Sequence, residues 1–252
     1  MHYNDEEYNI LSRQFILKPF SECNLRKLAN SKITIVGMGG IGCPLATYLV
    51  SSGIKNIKLI DGDIIEKSNL NRQILYSLNE IGQKKTVVAK KKLLGINKSV
   101  KIKTLSKNIS KSNLQQLSNT SIVIDTCDNW KTMKIINEYC VRNGIPLLSC
   151  SAIGFDVEIS FFENKHNKHL CLNCVFPNKT DVDLPRCDTV GVSGVATGMA
   201  GLIAAQKTIN FLINLNKETN ILTLLNVIKG DSQNIILKTN NKCYLKKHSR
   251  NN

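Results

Sequence analysis

The 252-residue chain contains no long hydrophobic run. Its most apolar stretch, residues 191–205, is rich in glycine and is shorter than the roughly 20 residues that a membrane-spanning helix needs. The first ten residues, MHYNDEEYNI, lack the apolar segment of a secretory signal peptide. We therefore expect a cytoplasmic protein that does not enter a membrane.

Acidic residues are scarce, since 19 Asp and Glu stand against 34 Lys and Arg, and the formal net charge is +15. One interpretation is an acidic partner such as a nucleotide, a nucleic acid or an acidic protein. The other is compositional drift, because lysine, asparagine and isoleucine are frequent along the whole chain. We favour drift, except at residues 84–92, where KKTVVAKKK gathers lysines on one predicted helix.

Neither an internal repeat nor a linker-like segment divides the chain, so we expect one domain over residues 1–252. In about residues 1–150, strand patterns (32–36, 56–60, 101–105, 121–126 and 145–149) alternate with helical patterns (42–52, 84–94 and 129–142). This alternation predicts βαβ units and an α/β fold, a Rossmann-like, mostly parallel sheet with helices on both faces.

A different periodicity begins at about residue 151. The run FDVEISFF at 155–162 alternates apolar and polar residues, which predicts an antiparallel strand with Phe155 and Val157 on its buried face and a solvated opposite face. A small-residue helix at about 194–213 and strands at 221–228 and 235–239 follow. The parallel sheet should therefore continue into antiparallel strands.

A glycine-rich loop follows the first predicted strand. The sequence GMGGIG places Gly37, Gly39 and Gly42 in the G-x-G-x-x-G pattern between a strand and a helix. Glycines let the backbone approach a phosphate, and the helix N-terminus offers free N–H groups. Asp61 ends the next strand, where a carboxylate can bind ribose hydroxyls. Alone, this pattern predicts a nucleotide site, NAD included; a turn without ligand is the alternative.

Two further segments argue against a dehydrogenase. The stretch after Asp61 brings Asn69, Arg72 and Gln73 to the site, and arginine suits phosphate contacts. The strand at 121–126 leads to Asp128, which can hold Mg²⁺ beside phosphate oxygens or can cap the helix that follows. Lys85, which begins a helix, could equally be an ordinary solvated lysine.

Together these motifs resemble the ThiF/MoeB/HesA family, which is related to the adenylation half of ubiquitin-activating enzymes. The motifs that carry the resemblance are SRQxxL (Ser12 to Leu17), GMGGIG, DxD with SNLxRQ (Asp61 to Gln73), GQxK (Gly82 to Lys85), DxxDN (Asp125 to Asn129) and CxxC (Cys171, Cys174). They cover nearly the whole chain, and this resemblance is slightly nearer to ThiF than to MoeB because of SAIGF at 151–155 and the loop around Cys187.

The resemblance implies an adenylyltransferase that joins AMP from ATP to the C-terminal glycine of a ubiquitin-like sulfur carrier, ThiS-like or MoaD-like, with a Gly-Gly tail. The expected ATP-binding residues are Gly37, Gly39, Gly40, Gly42, Asp61, Asn69, Arg72, Gln73, Lys85, Asp128 and Asn129. Asp128 corresponds to a Mg²⁺ carboxylate, and Arg13 to an arginine that reaches the other subunit's site in a homodimer.

A sulfurtransferase or cysteine desulfurase is a further expected partner, and the antiparallel half should dock the carrier. Competing hypotheses are a related enzyme that adenylates a tRNA base or a peptide, an NAD-dependent oxidoreductase, and a non-catalytic binding module.

Nine cysteines in a chain expected to be cytosolic argue for metal or thiol chemistry and against disulfides. Cys171 and Cys174 form half of a zinc site, but the family's fourth cysteine is Lys246 here. Zinc could be held by Cys171, Cys174, Cys243 and His248; loss of the metal is the alternative. The resemblance also makes Cys187 the loop cysteine that forms an acyl disulfide with the carrier.

Overall fold

One eight-stranded sheet organises the computed structural model, which describes residues 3–164, 170–177, 190–215, 219–240, 243 and 245. The strands are β1 (Lys32–Val36), β2 (Asn56–Ile60), β3 (Lys101–Leu105), β4 (Ile122–Asp125), β5 (Leu147–Ile153), β6 (Asp156–Phe162), β7 (Ile221–Asn226) and β8 (Asp231–Ile236). Their order is β3-β2-β1-β4-β5-β6-β7-β8. The pairs from β3 to β5 are parallel, and those from β5 to β8 are antiparallel. The predicted α/β fold is therefore confirmed.

Helices cover both faces of the sheet. They are α1 (Asp5–Phe15), α2 (Glu22–Asn30), α3 (Gly42–Ser51), α4 (Lys85–Ile96), α5 (Trp130–Arg142), the short α6 (Leu172–Val175) and α7 (Gly194–Ile213). Helices α3, α4 and α7 pack on one face, and α5 packs on the other. Gly201 lets α7 approach α3 closely, because a Cβ there would lie 2.6 Å from the carbonyl oxygen of Ile41. Three cysteines that lie in apolar runs of the sequence, Cys43, Cys140 and Cys150, are fully buried and pack in the core.

The N-terminal helix α1 was not predicted. Asn4 caps it by accepting a hydrogen bond from the Glu7 amide at 2.9 Å, and the Glu7 carboxylate accepts one from the Asn4 amide. The same carboxylate forms a buried ion pair of 2.7 Å with Lys55, whose ammonium lies 4.5 Å from the Tyr3 ring centroid. These contacts fix α1 against the start of β2.

Two features of the antiparallel half differ from prediction. Phe155 is not on the buried face: it is 47% exposed, because Gly154 (φ +57°) turns the chain and β6 begins only at Asp156. The opposite face of β6 is not fully solvated either, since Ser160 is 4% exposed. The last strand lies at Asp231–Ile236 instead of 235–239.

Within the described ranges, we find no helix with the length and hydropathy required to cross a membrane.

Candidate functional site

The glycine loop turns sharply between β1 and α3. Gly37 has φ +97°, a conformation that favours glycine, and a Cβ there would lie 2.6 Å from the Thr126 hydroxyl oxygen. A Cβ at Gly42 would collide with the carbonyl oxygen of Gly37. The Met38 amide donates to Asp61 Oδ2 at 2.7 Å, which joins the loop to the end of β2. The loop therefore depends on glycine for both its turn and its packing.

A cavity of about 750 Å³ lies beside this loop at the carboxyl ends of β1, β2 and β4. Such a volume suits a small-molecule ligand. Ten of the predicted site residues line it: Gly37, Gly39, Gly40, Asp61, Asn69, Arg72, Gln73, Lys85, Asp128 and Asn129. Gly42 lies just behind it, at the start of α3. The structure thus brings together residues from four separate segments of the chain.

Asp61 and Lys85 are two charged residues that line the cavity. Burial raises the pKa of Asp61, whereas the nearby Lys85 ammonium and the amides of Met38 and Asp63 lower it. Lys85 is itself buried, and its Nζ lies 2.9 Å from Asp63 Oδ2. The alternative that Lys85 is an ordinary solvated lysine is therefore wrong.

The segment after β2 carries the predicted phosphate contacts. The Arg72 guanidinium donates to the Ser68 carbonyl and to Asn71 Oδ1, both at 3.0 Å, so it is held near the cavity wall. Gln73 is 4% exposed, and none of the described residues donates a hydrogen bond to its Oε1. The described residues therefore leave this buried amide oxygen unsatisfied, which is uncommon for a buried polar atom.

The end of β4 shows which residue caps α5 and where Asp128 lies. Asn129 caps α5, because its Oδ1 accepts a hydrogen bond from the Thr132 amide at 2.9 Å. The alternative in which Asp128 caps this helix is therefore wrong. Asp128 is exposed and lines the cavity, so its carboxylate is available to a ligand or a metal ion.

Asp125, three residues earlier, is fully buried. Its Oδ1 accepts a hydrogen bond from the Cys127 amide at 3.0 Å, and no described residue donates to Oδ2. Burial raises the pKa of Asp125 to about 6, partly offset by that hydrogen bond. The carboxyl group therefore keeps its proton in the folded chain at mildly acidic pH.

This predicts a pH-dependent stability that Asp125→Asn removes. Between the ordinary aspartate pKa of about 4 and the folded value, the folded chain binds more protons than the unfolded chain, so the free energy of unfolding falls as pH rises. The shift to about 6 corresponds to a change on the order of 3 kcal/mol. Urea unfolding from pH 4 to 7 should show a smaller fall for Asp125→Asn than for the unmodified chain. Equal falls would contradict the assignment.

Part of the cavity was not predicted from the sequence. Its apolar end is formed by Ile109, Trp130, Met133, Leu172 and Phe176. The Trp130 and Phe176 rings meet edge-on, with centroids 6.1 Å apart. The cavity is also lined by a polar row across β5 and β6, formed by Ser149, Ser151, Glu158 and Ser160. The alternation in FDVEISFF indicated this second face, but only the tertiary fold shows that it lines the cavity.

Arg13, which the resemblance predicts to reach the other subunit's site, does not line this cavity. It lies in the last turn of α1 and is exposed.

A second cluster joins three cysteines. The sulfur of Cys171 lies 3.8 Å from that of Cys174 and 3.7 Å from that of Cys243. Zinc–sulfur bonds of about 2.3 Å in a tetrahedron separate the sulfurs by about 3.8 Å, so the spacing fits a metal ion. Hydrogen bonding from the Cys171 thiol lowers the pKa of Cys174 below its ordinary value. His248, Lys246 and Cys187 lie outside the described residues.

Fold and cavity together define a class: an α/β protein with a glycine-loop site in which carboxylates and cations surround space for a nucleotide. Within that class, the chain belongs to the ThiF family, whose sequence pattern matches residues 11–245. The resemblance noted from the motifs is thereby confirmed.

Relatives of known name are similar over much of the chain. The adenylyltransferase and sulfurtransferase MOCS3-1 of Drosophila pseudoobscura pseudoobscura is 36% identical over 206 residues, 81% of this chain and 45% of the relative. The chain thus spans about half the length of such relatives. The sulfur carrier protein adenylyltransferase of Thermus thermophilus is 28% identical, covering 96% of this chain and 92% of the relative. The ThiS adenylyltransferase of Escherichia coli is also 28% identical and covers 95% of each chain.

Solved structures share the fold. Escherichia coli MccB with ATP superposes with a TM-score of 0.81 over 97% of this chain and 75% of that one, at 22% identity. At this identity the likeness concerns the fold alone.

Proposed function

We propose that the chain is an adenylyltransferase that uses ATP to activate the C-terminal glycine carboxylate of a ubiquitin-like sulfur-carrier protein. One observation carries the proposal: the glycine loop, Asp61, Arg72, Lys85 and Asp128 converge on a single cavity of about 750 Å³. The names of the relatives agree with this activity.

The proposed reaction needs no nucleophile from the protein. A carboxylate oxygen of the carrier attacks the α-phosphorus of ATP, the bond to the bridging oxygen breaks, and pyrophosphate leaves with its electron pair. The protein's contribution is to position the reactants and to stabilise negative charge on the phosphates. Arg72 and Lys85 lie at the cavity wall, where their positive charges would stabilise the phosphates. Asp61 also lines the cavity and would accept hydrogen bonds from the ribose hydroxyls.

Asp128 is our candidate for the Mg²⁺ ligand. Its carboxylate is exposed, is not needed as a helix cap, and faces the same cavity as Lys85 and Arg72. Oxygen ligands of this kind suit Mg²⁺. The bound ion would neutralise charge on the phosphate oxygens.

We further propose a homodimer in which Arg13 completes the site of the other subunit. Its position supports this, since α1 holds it on the surface, away from its own cavity. Exposed apolar side chains beside it on the same segment, Ile10, Ile16 and Leu17, offer area for a subunit contact. Sedimentation equilibrium tests the dimer, and mixing an Arg13→Ala subunit with an Asp128→Ala subunit should restore part of the activity that each variant lacks alone.

We assign about residues 1–150 to nucleotide binding and about residues 151–252 to carrier docking. The polar row Ser149, Ser151, Glu158 and Ser160 offers hydrogen bonds to an extended tail that enters the cavity, and a Gly-Gly tail has no side chains to obstruct it. A ThiS-like carrier is slightly favoured over a MoaD-like one by the SAIGF segment, and a sulfurtransferase or cysteine desulfurase would supply the sulfur.

Eight free cysteines in the described ranges suit a reducing compartment, so we place the reaction in the cytoplasm, which cell fractionation tests.

Zinc at the cysteine cluster is also a proposal. Cys171, Cys174 and Cys243 would supply three thiolates, and His248 the fourth ligand, with Lys246 in the position where the family has a cysteine. Metal analysis of the purified chain should find about one zinc per subunit. Cys171→Ser should lose it, whereas Cys23→Ser, at an exposed cysteine outside the cluster, should keep it.

We predict that Cys187→Ala separates the two steps that the resemblance implies. The variant should form the acyl-adenylate at the normal rate, because adenylation needs no thiol, and should fail to form a disulfide-linked or thiocarboxylated carrier. Mass spectrometry of the carrier after incubation with a sulfur donor measures the second step. Collapse of adenylation itself would remove the proposed role of Cys187.

The test of the whole proposal is ATP–pyrophosphate exchange with Mg²⁺. Separate reactions should contain a ThiS-like carrier, a MoaD-like carrier, a peptide, bulk tRNA and no acceptor. Exchange that depends on one carrier is the expected result and identifies the pathway. Exchange with tRNA or the peptide alone would reassign the acceptor, and nicotinamide reduction without exchange would indicate an oxidoreductase.

A further inference from the structure

Tyr76 lies behind the nucleotide cavity, at the junction of three segments that form its wall. Its side chain is buried, and its hydroxyl donates to the Met38 carbonyl oxygen at 2.8 Å. The same hydroxyl oxygen lies 3.4 Å from the Lys85 carbonyl oxygen. Tyr76 itself belongs to the segment that carries Arg72 and Gln73. The Tyr76 hydroxyl thus links three segments: the segment after β2, which carries Tyr76, the glycine loop, and the start of α4.

The contact with Met38 fixes a peptide unit of the glycine loop. The Met38 carbonyl and the Gly39 N–H belong to one planar peptide group, and in a trans peptide they point in opposite directions. Holding the carbonyl towards Tyr76 therefore directs the Gly39 N–H away from Tyr76. Gly39 lines the cavity, and no carbonyl in the described residues accepts a hydrogen bond from its amide. That amide is available to a ligand.

The peptide unit on the other side of Met38 is held as well. The Met38 amide donates to Asp61 Oδ2 at 2.7 Å. The Cys43 thiol is the other described donor to the Met38 carbonyl, at a longer distance of 3.5 Å. Without the Tyr76 hydroxyl, this weak donor would be left alone to orient the carbonyl. Burial raises the pKa of Tyr76, so its proton is retained at every pH of practical interest.

We propose that Tyr76 is a positioning residue that aims the Gly39 amide at a phosphate oxygen of the nucleotide. The inference rests on the proposed function, because it assumes that the cavity binds ATP. Tyr76 does not line the cavity and touches no substrate, so it acts only through the glycine loop.

The test compares Tyr76→Phe with Tyr139→Phe. Phenylalanine keeps the ring that packs in the core and removes only the hydroxyl. Tyr139 is a half-buried tyrosine on α5 that does not line the cavity, so it controls for loss of a hydroxyl elsewhere. Calorimetric titration with a non-hydrolysable ATP analogue and, separately, with adenosine gives dissociation constants without any carrier.

Tyr76→Phe should weaken binding of the ATP analogue about tenfold, the scale of one hydrogen bond to a charged group, and leave adenosine binding unchanged. Tyr139→Phe should change neither. A purely structural role would lower the melting temperature of Tyr76→Phe without this difference between the two ligands. Equal binding by Tyr76→Phe and the unmodified chain would overturn the inference and leave the proposed function standing. Failure of the unmodified chain to bind the ATP analogue would overturn both.

Discussion

Asp128→Ala should abolish ATP–pyrophosphate exchange, with a loss on the order of 10³-fold, and should leave the fold intact. The large loss follows from the proposed metal role, because removing the carboxylate would weaken Mg²⁺ binding, and without the ion the phosphate charge would be uncompensated in the transition state. The intact fold follows from the structure: Asp128 is exposed, and Asn129, not Asp128, caps α5. Its free energy of unfolding should therefore change by less than about 0.5 kcal/mol.

Asp128→Asn is the matched comparison, because it keeps the size and one oxygen of the side chain and removes the charge. Exchange by this variant should fall as well and should recover in part at high Mg²⁺, since a neutral oxygen ligand binds the ion more weakly. Exchange measured across a Mg²⁺ titration distinguishes this from a defect in ATP binding. Normal exchange by Asp128→Ala would remove Asp128 from the mechanism.

The predictable part of the site comes from segments whose local sequence dictates local structure. A strand followed by GMGGIG requires a tight turn and a helix start, and Asp61 at the end of the next strand must lie at the same sheet edge. The parallel order of β1, β2 and β4 then brings Asp128 to that edge. The sequence alone could not decide which residue caps α5, because Asp128 and its neighbour Asn129 are both good helix caps. Only the side-chain geometry shows that Asn129 is the cap.

The apolar end of the cavity and the packing of α7 could not be predicted in this way. Ile109, Trp130 and Phe176 come from three separate segments, and nothing in any one of them indicates the others. The burial of Ser160 has the same cause, since alternation along β6 gives two faces but does not say what covers the polar one. Helix α1, by contrast, carried a readable signal, because Asn4 and Glu7 have the spacing of a capping box.

Lys85→Met should reduce kcat/KM for ATP by about 10²- to 10³-fold, the range found when one preorganised charge-stabilising group is removed. The Lys85 ammonium is buried at the cavity wall beside Asp61 and Asp63, where low solvent access strengthens its interaction with phosphate. Lys92→Met is the matched control on the same helix. Lys92 is partly exposed and pairs with Glu80 at 3.0 Å, so the control should retain full activity.

A second consequence of Lys85→Met separates a specific role from a general loss of positive charge. Lys85 lowers the pKa of Asp61 against the opposing effect of burial, so its removal raises that pKa further. The Asp61 carboxylate would then be protonated at a higher pH. A protonated carboxyl group is a weaker acceptor of hydrogen bonds from the ribose hydroxyls. Affinity for an ATP analogue, measured as pH is lowered, should therefore begin to fall at a higher pH in Lys85→Met than in Lys92→Met. Coincident pH profiles for the two variants would show that Lys85 and Asp61 act independently. Equal losses of kcat/KM in Lys85→Met and Lys92→Met would show that the overall positive charge of α4, and not Lys85 itself, supports activity.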